Sequence, residues 1–202
     1  IKLMAKEELN AEFWNQRYID QNTPWDIGYA APALINYVLE NVSKKEIILI
    51  PGAGKAHEAI HLFKQGYQNI YVCDWAPKAF ETIKAKAPDF PDGQLLCSDF
   101  FALDIQVDLI IEQTFFCAIH PAQRPDYVEK AAALLHPKGK IIGLLFASPF
   151  PFEGPPYGGT KAEYEKSFQT HFEIVQMKIS EASIGPRKNN ELFFECRKKG
   201  RL

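Results

Sequence analysis

Apolar positions fall along the chain in two alternating rhythms. Residues 46–52 (EIILIPG) form a short β-branched run closed by Pro-Gly, which predicts a buried strand. Residues 55–66 (KAHEAIHLFKQG) then space their apolar positions as a helix does, up to a stop at Gly66. The pattern repeats. Strands are predicted at 69–75, 93–100, 107–116 and 140–147, and helices at 77–87, 124–135 and 160–171. Pro77 opens the second helix, and HPKG at 136–139 closes the third. The chain ends in two strands, 172–179 and 191–199, joined by the polar loop 180–190 with no helix between them.

Strands that alternate with helices and are apolar on both faces belong in a parallel sheet covered on both sides. The expected fold is therefore α/β, a doubly wound, mostly parallel, seven-stranded sheet whose last two strands pair antiparallel at one edge. One domain spans 1–202, with an N-terminal segment at 1–40 and the core at 45–200. No internal repeat or low-complexity segment interrupts it. The one long irregular loop, 148–159 (SPFPFEGPPYGG), follows the fifth strand, where such folds carry functional loops.

Composition narrows the class. Of 202 residues, 47% are hydrophobic and 24% charged, with a net charge of -2, the profile of a globular chain without the basic stripe of a nucleic-acid binder. Cys73, Cys97, Cys117 and Cys196 form no CxxC pair, and three lie in apolar runs, so a reduced, cytoplasmic protein is expected. No signal-peptide pattern opens the sequence, and no apolar run reaches membrane-spanning length.

Residues 52–61 (GAGKAHEAIH) overlay two motifs. His57 and His61 have the H-E-x-x-H spacing of a zinc peptidase helix. Ala59, Ile60 and Phe63, however, mark the buried face of that helix, and no third ligand accompanies the histidines, so two solvated histidines are expected. Gly52 and Gly54, between strand and helix, instead allow close backbone approach to a ligand. Asp74 follows about 20 residues later at the end of the next strand, where a carboxylate meets ribose hydroxyls. Asp99, ending the third strand, falls near the adenine position. The third glycine of a dinucleotide loop is replaced by His57, and the residues after Gly54 do not form a P-loop.

This glycine loop with acids on the next two strands resembles an S-adenosylmethionine (SAM)-dependent methyltransferase. More specific are 13–28 (FWNQRYIDQNTPWDIG), 51–59 (PGAGKAHEA), 108–127 (DLIIEQTFFCAIHPAQRPDY) and 152–157 (FEGPPY). In this order they resemble the thiopurine S-methyltransferase superfamily, and within it the plant thiol and halide methyltransferases. The resemblance runs from Trp14 to about Arg187. It implies a Rossmann-like class I methyltransferase fold with a helical N-terminal cap over the cofactor. It implies SAM as methyl donor, S-adenosylhomocysteine as product, and a small-molecule acceptor, with neither nucleic acid, membrane nor metal involved. The oligomeric state does not follow from it.

The resemblance also assigns residues. Trp14, Tyr18 and Trp25 match cap aromatics, whose faces attract a sulfonium cation. Tyr18 stands where the plant enzymes carry tryptophan. Gly52 and Gly54 match the glycine loop, and Asp74 the ribose-binding acid with Trp75 beside it. Asp99 and Phe100 match the pair flanking adenine. Gln113 departs from the Tyr or Arg of related enzymes at the methionine end. Tyr157 and Arg187 match the acceptor side. Phe115 and Phe116, as strand-end aromatics, fit a pocket wall and the core equally. Glu112 fits a structural and a substrate-site role equally. The implied reaction is in-line methyl transfer to a soft nucleophile such as sulfide, thiocyanate or iodide, for which no strong general base is needed and none stands out. An aromatic thiol acceptor, a SAM-binding protein without catalysis and a zinc hydrolase are the alternatives.

Overall fold

The computed structural model describes residues 9–200. Its elements follow the alternation in the sequence. Helices α1 (Ala11–Ile19) and α2 (Pro32–Asn41) precede strand β1 (Ile48–Pro51), helix α3 (His57–Lys64) and strand β2 (Ile70–Asp74). Helix α4 (Glu81–Lys86), strands β3 (Leu95–Cys97) and β4 (Val107–Gln113), helix α5 (Arg124–Leu134), strand β5 (Leu135–Phe146) and helix α6 (Lys161–Phe168) come next. Strands β6 (Phe172–Ile179) and β7 (Glu191–Lys198) end the chain.

The seven strands form one sheet in the order β3-β2-β1-β4-β5-β7-β6. The first five are parallel; β7 runs antiparallel between β5 and β6. Pleating divides the apolar residues of β1 between two cores. Ile48 and Ile50 pack on one face with Leu34, Val38 and Leu62 from α2 and α3. Leu49 packs on the other with Tyr127, Val128 and Phe168 from α5 and α6. The strand order reverses between β1 and β4, so the crevice of a doubly wound sheet opens above the carboxyl ends of these two strands.

Four local expectations are corrected. The third strand keeps only Leu95–Cys97, because 3-10 turns at Asp92–Gln94 and Phe100–Ala102 take its ends; Asp99 caps the second turn by accepting from the Phe101 amide at 3.0 Å. The helix at 77–87 begins as a 3-10 turn, Pro77–Phe80. HPKG belongs to β5 rather than to a helix end, since Leu135 already pairs with Val107. Finally, only part of 1–40 can act as a cap. Residues 1–8 lie outside the described residues. Helix α2, begun by Pro32 and carrying apolar residues at helical spacing, buries Leu34, Ile35 and Val38 in the core.

Candidate active site

The carboxyl ends of β1, β2 and β4 surround a cavity of about 560 Å³. That volume suits a drug-sized ligand. Its floor begins at Gly52, which leaves β1 at φ 55°, a left-handed conformation that glycine adopts without steric cost. A β-carbon there would meet the Phe115 ring at 2.5 Å, so the absence of a side chain lets the β4 end close against the β1 loop. Asp74, ending β2, is 8% exposed. Its Oδ2 accepts from the Gly54 amide at 3.0 Å and its Oδ1 from the Ala76 amide at 2.9 Å. A carboxylate has about four acceptor positions, so these bonds do not exhaust its capacity to accept. Burial pushes the Asp74 carboxyl above its ordinary range, although the Ala76, Gly54 and Trp75 amides pull it back. Asp99, Trp75 and Phe100 line the same end of the cavity.

A further wall comes from the N-terminal segment. Asn10 caps α1 by accepting from the Phe13 amide at 2.9 Å, and the helix turns Trp14, Arg17 and Tyr18 toward the cavity. Trp25, in the loop after α1, packs edge-on against Trp14 at 5.4 Å and Tyr18 at 6.0 Å between centroids. Two anchors hold that loop. The Asp26 carboxylate accepts from Lys55 Nζ at 2.7 Å, from the Gly28 amide at 2.8 Å, and lies 2.8 Å from His57 Nε2. Burial alone would raise the Asp26 pKa, but these partners outweigh it and hold it low. On the far side, Arg187 Nη2 donates to the Trp25 carbonyl at 2.8 Å, while Nη1 lies 3.3 Å from Glu191.

His57 is therefore not the solvated residue that its spacing predicted: it is half-buried and clasps the cap loop, while His61 is exposed. The buried face of α3 is also shifted. Glu58 is 5% exposed and accepts from the Ala31 amide at 2.8 Å, with Ala59, Ile60 and Leu62 beside it and Phe63 only half-buried. Among the described residues, no three His, Cys, Asp or Glu side chains gather to hold a metal ion.

The structure brings Trp14, Tyr18, Trp25, Gly52, Asp74, Trp75, Asp99, Phe100 and Arg187 to one cavity. Four other expected residues lie elsewhere. Gly54 faces the Tyr18 hydroxyl, which a β-carbon would approach at 2.9 Å. Gln113 lines a separate small void with Ile27 and Ser183, and its buried Oε1 has no hydrogen-bond partner in the structure. Phe116, expected to wall the pocket, is 1% exposed in the core between Tyr127, Tyr164 and Phe168. The Tyr157 ring meets His120 edge-on, off the cavity wall, while its backbone is held by the Cys117 carbonyl and by Arg124.

Glu112 resolves as structural. It is fully buried, and Oε1 accepts from the Phe115 and Phe116 amides at 2.9 and 2.8 Å. Its Oε2 accepts from the Tyr127 hydroxyl at 2.6 Å. These bonds fix the turn after β4, where Thr114 has φ 63° and Phe115 and Cys117 reach the cavity. Burial pushes the Cys117 thiol up to about 12, so it is no thiolate nucleophile at neutral pH. Of the two strand-end aromatics expected as pocket walls, Phe115 lines the cavity; sequence reading missed Arg17, Phe146 and Phe150, whose only signal was their position in the cap helix or near a strand end. Three tryptophan side chains, a strand-end carboxylate and a mostly apolar cavity at the sheet's switch point are compatible with an adenosyl sulfonium.

Comparison with known proteins agrees. The family model described as Thiopurine S-methyltransferase (TPMT) matches residues 9–198. "Probable thiol methyltransferase 2" of Arabidopsis thaliana is 30% identical over 184 residues, 88% of this chain and 81% of the relative. A thiopurine S-methyltransferase of Legionella pneumophila (strain Paris) is 27% identical over 201 residues, 90% of each chain. Among solved structures, the Burkholderia thailandensis 1,6-didemethyltoxoflavin-N1-methyltransferase, bound to 1,6-didemethyltoxoflavin and S-adenosylhomocysteine, superposes with a TM-score of 0.78. It covers 98% of this chain and 94% of its own at 16% identity, a likeness of fold. With a cavity floored by the glycine turn and walled by cap aromatics, the chain belongs to the thiopurine S-methyltransferase family and is a SAM-dependent methyltransferase.

Proposed function

We propose that the enzyme methylates a small soft anion: a thiolate, or a halide or pseudohalide such as iodide or thiocyanate. The observation that carries this is the charge on the cavity wall. Beyond the Asp74 and Asp99 end, its charged residues are Arg17 and Arg187, and no carboxylate or histidine faces the acceptor side among the described residues. That wall attracts anions and offers no general base. A thiolate or halide needs none, whereas an oxygen or nitrogen acceptor would more often need one.

When bound, SAM supplies an electrophilic methyl on a sulfonium. On this reading Asp74 accepts from the ribose hydroxyls, and Trp75, Asp99 and Phe100 enclose the adenine. Trp14, Tyr18 and Trp25 cover the sulfonium and exclude water, and Gly52 lets the floor close. Arg187, which donates to the Trp25 carbonyl and pairs with Glu191, fastens the cap. A second reading, an aromatic thiol, draws on the rings of Phe115, Phe146 and Phe150 and on Pro155 and Pro156 along the same wall. The free thiols of all four cysteines support a reducing, cytoplasmic setting. Among the described residues, no helix is long and apolar enough to cross a membrane.

The test is calorimetric titration with S-adenosylhomocysteine on wild type and Asp74→Ala, followed by methyl-transfer assays on sulfide, thiocyanate, iodide and an aryl thiol. Binding weakened about tenfold or more in the variant is expected, with turnover on a small anion. Tight product binding with no turnover on any of the four would overturn the acceptor assignment. Turnover on the aryl thiol alone would select the second reading.

A further inference from the structure

Among the described residues, four charged ones line the cavity: Arg17, Asp74, Asp99 and Arg187. Three of them are already engaged by the protein. Asp74 accepts from the Gly54 and Ala76 amides, among others, and Asp99 from the Phe101 amide. Arg187 spends its terminal nitrogens on the Trp25 carbonyl and Glu191. Arg17 differs. Its Nε donates to the Asn22 carbonyl at 3.1 Å, and its two terminal nitrogens have no partner among the described residues.

The guanidinium is nevertheless held in place. Its central carbon lies 5.4 Å from the Trp25 ring centroid and 5.8 Å from that of Phe13. A guanidinium fixed through Nε and flanked by aromatic rings loses little freedom when its terminal nitrogens bind a ligand, and its fork suits a carboxylate. Leu9, Phe13 and Pro24 line the cavity beside it and lower the local dielectric, which strengthens any charge pairing there. The residue expected at the methionine end, Gln113, lies in a different void. An anion in this cavity thus meets one uncommitted cation.

We propose that Arg17 is the anion-binding residue of the cavity. The anion is either the α-carboxylate at the amino-acid end of the methyl donor or the anionic acceptor, and this rests on the reading of the cavity as a methyltransferase site. The test uses the full chain as wild type, Arg17→Met, which keeps an apolar stem against Trp25, and Arg17→Lys, which keeps the charge. Calorimetry measures S-adenosylhomocysteine and 5′-methylthioadenosine, the same nucleoside thioether without the amino-acid end. Initial rates are measured against thiocyanate and iodide.

Arg17→Met is expected to lose roughly ten- to hundredfold in one arm, with Arg17→Lys in between. Weaker S-adenosylhomocysteine binding with 5′-methylthioadenosine unchanged assigns the donor carboxylate. Unchanged S-adenosylhomocysteine binding with a raised KM for thiocyanate and iodide at constant kcat assigns the acceptor. In either case added salt weakens the affected step in wild type more than in Arg17→Met. Equal weakening of both nucleosides, or no change in any measurement, would overturn the proposal by reducing Arg17 to a packing residue of the cap. A wild type that binds S-adenosylhomocysteine but methylates neither anion would sink the small-anion assignment and leave the donor arm readable.

Discussion

Gly52 and Glu112 show how narrowly single residues are constrained beneath this cavity. A side chain at Gly52 would be forced into a left-handed backbone, at a cost of roughly 1–2 kcal/mol, and against the Phe115 ring as well. Gly52→Ala is expected to lose about 2 kcal/mol or more in urea denaturation and to weaken S-adenosylhomocysteine binding; unchanged values in both would show that Phe115 moves aside freely. Glu112 titrates differently in the two states. Burial pushes its carboxyl up to about 7 from an ordinary 4.5, although the Tyr127 hydroxyl and two amides oppose the shift. Between those pH values the folded chain holds a proton that the unfolded chain has released. Stability therefore falls as pH rises through that window, on the order of 3 kcal/mol from this residue. Urea denaturation from pH 5 to 8 should show that loss in wild type and a flatter profile in Glu112→Gln; parallel profiles would refute it. Residues on the regular strand-loop-helix path, such as Gly52 and Asp74, were legible because spacing alone puts them at the switch point. Phe116 and Tyr157 were not, because an aromatic after a strand end or in a long irregular loop can turn inward or outward and only three-dimensional packing decides which.

Among the elements, the cap loop after α1 depends most on long-range contacts. Its anchors, Lys55 and His57 on one side and Arg187 on the other, are 29 to 162 residues away from the loop positions they hold. No local pattern can announce such pairs, and the histidine spacing that suggested a metal site reflects half of one. Asp26→Asn should loosen the loop without disturbing the sheet: about tenfold weaker S-adenosylhomocysteine binding and faster amide exchange over residues 20–30, with the exchange of β1 and β4 unchanged. Exchange that rises throughout the sheet would instead make Asp26 part of the global fold. Periodicity read the long elements well, as α5 and β4 show. It failed at β3, where three residues of strand lie between 3-10 turns, and at 136–139, where a Pro-Lys-Gly sequence that looks like a helix end continues as strand.

For the whole molecule, the sheet order β3-β2-β1-β4-β5-β7-β6 puts the cavity where the order of the parallel strands reverses, between β1 and β4. Alternation of strands and helices was enough to predict the layers and the antiparallel edge; it could not give the insertion of β7 between β5 and β6, which depends on a long return connection. On the proposed placement, with the ligand between the cap and three strand ends, saturation should stabilise the entire fold. At a hundredfold excess of S-adenosylhomocysteine over its Kd, linkage gives about 2.7 kcal/mol, or roughly 5–10 °C in Tm by scanning calorimetry. A shift below a degree at saturation would contradict a cavity that bridges those elements. One feature of the wall also gives the molecule its own optical reporter. The chain has three tryptophans, and Trp14, Trp25 and Trp75 all line the cavity. Excited near 295 nm, the folded protein emits from its ligand site and from nowhere else, so quenching by iodide would probe access to the very wall that this anion is proposed to approach.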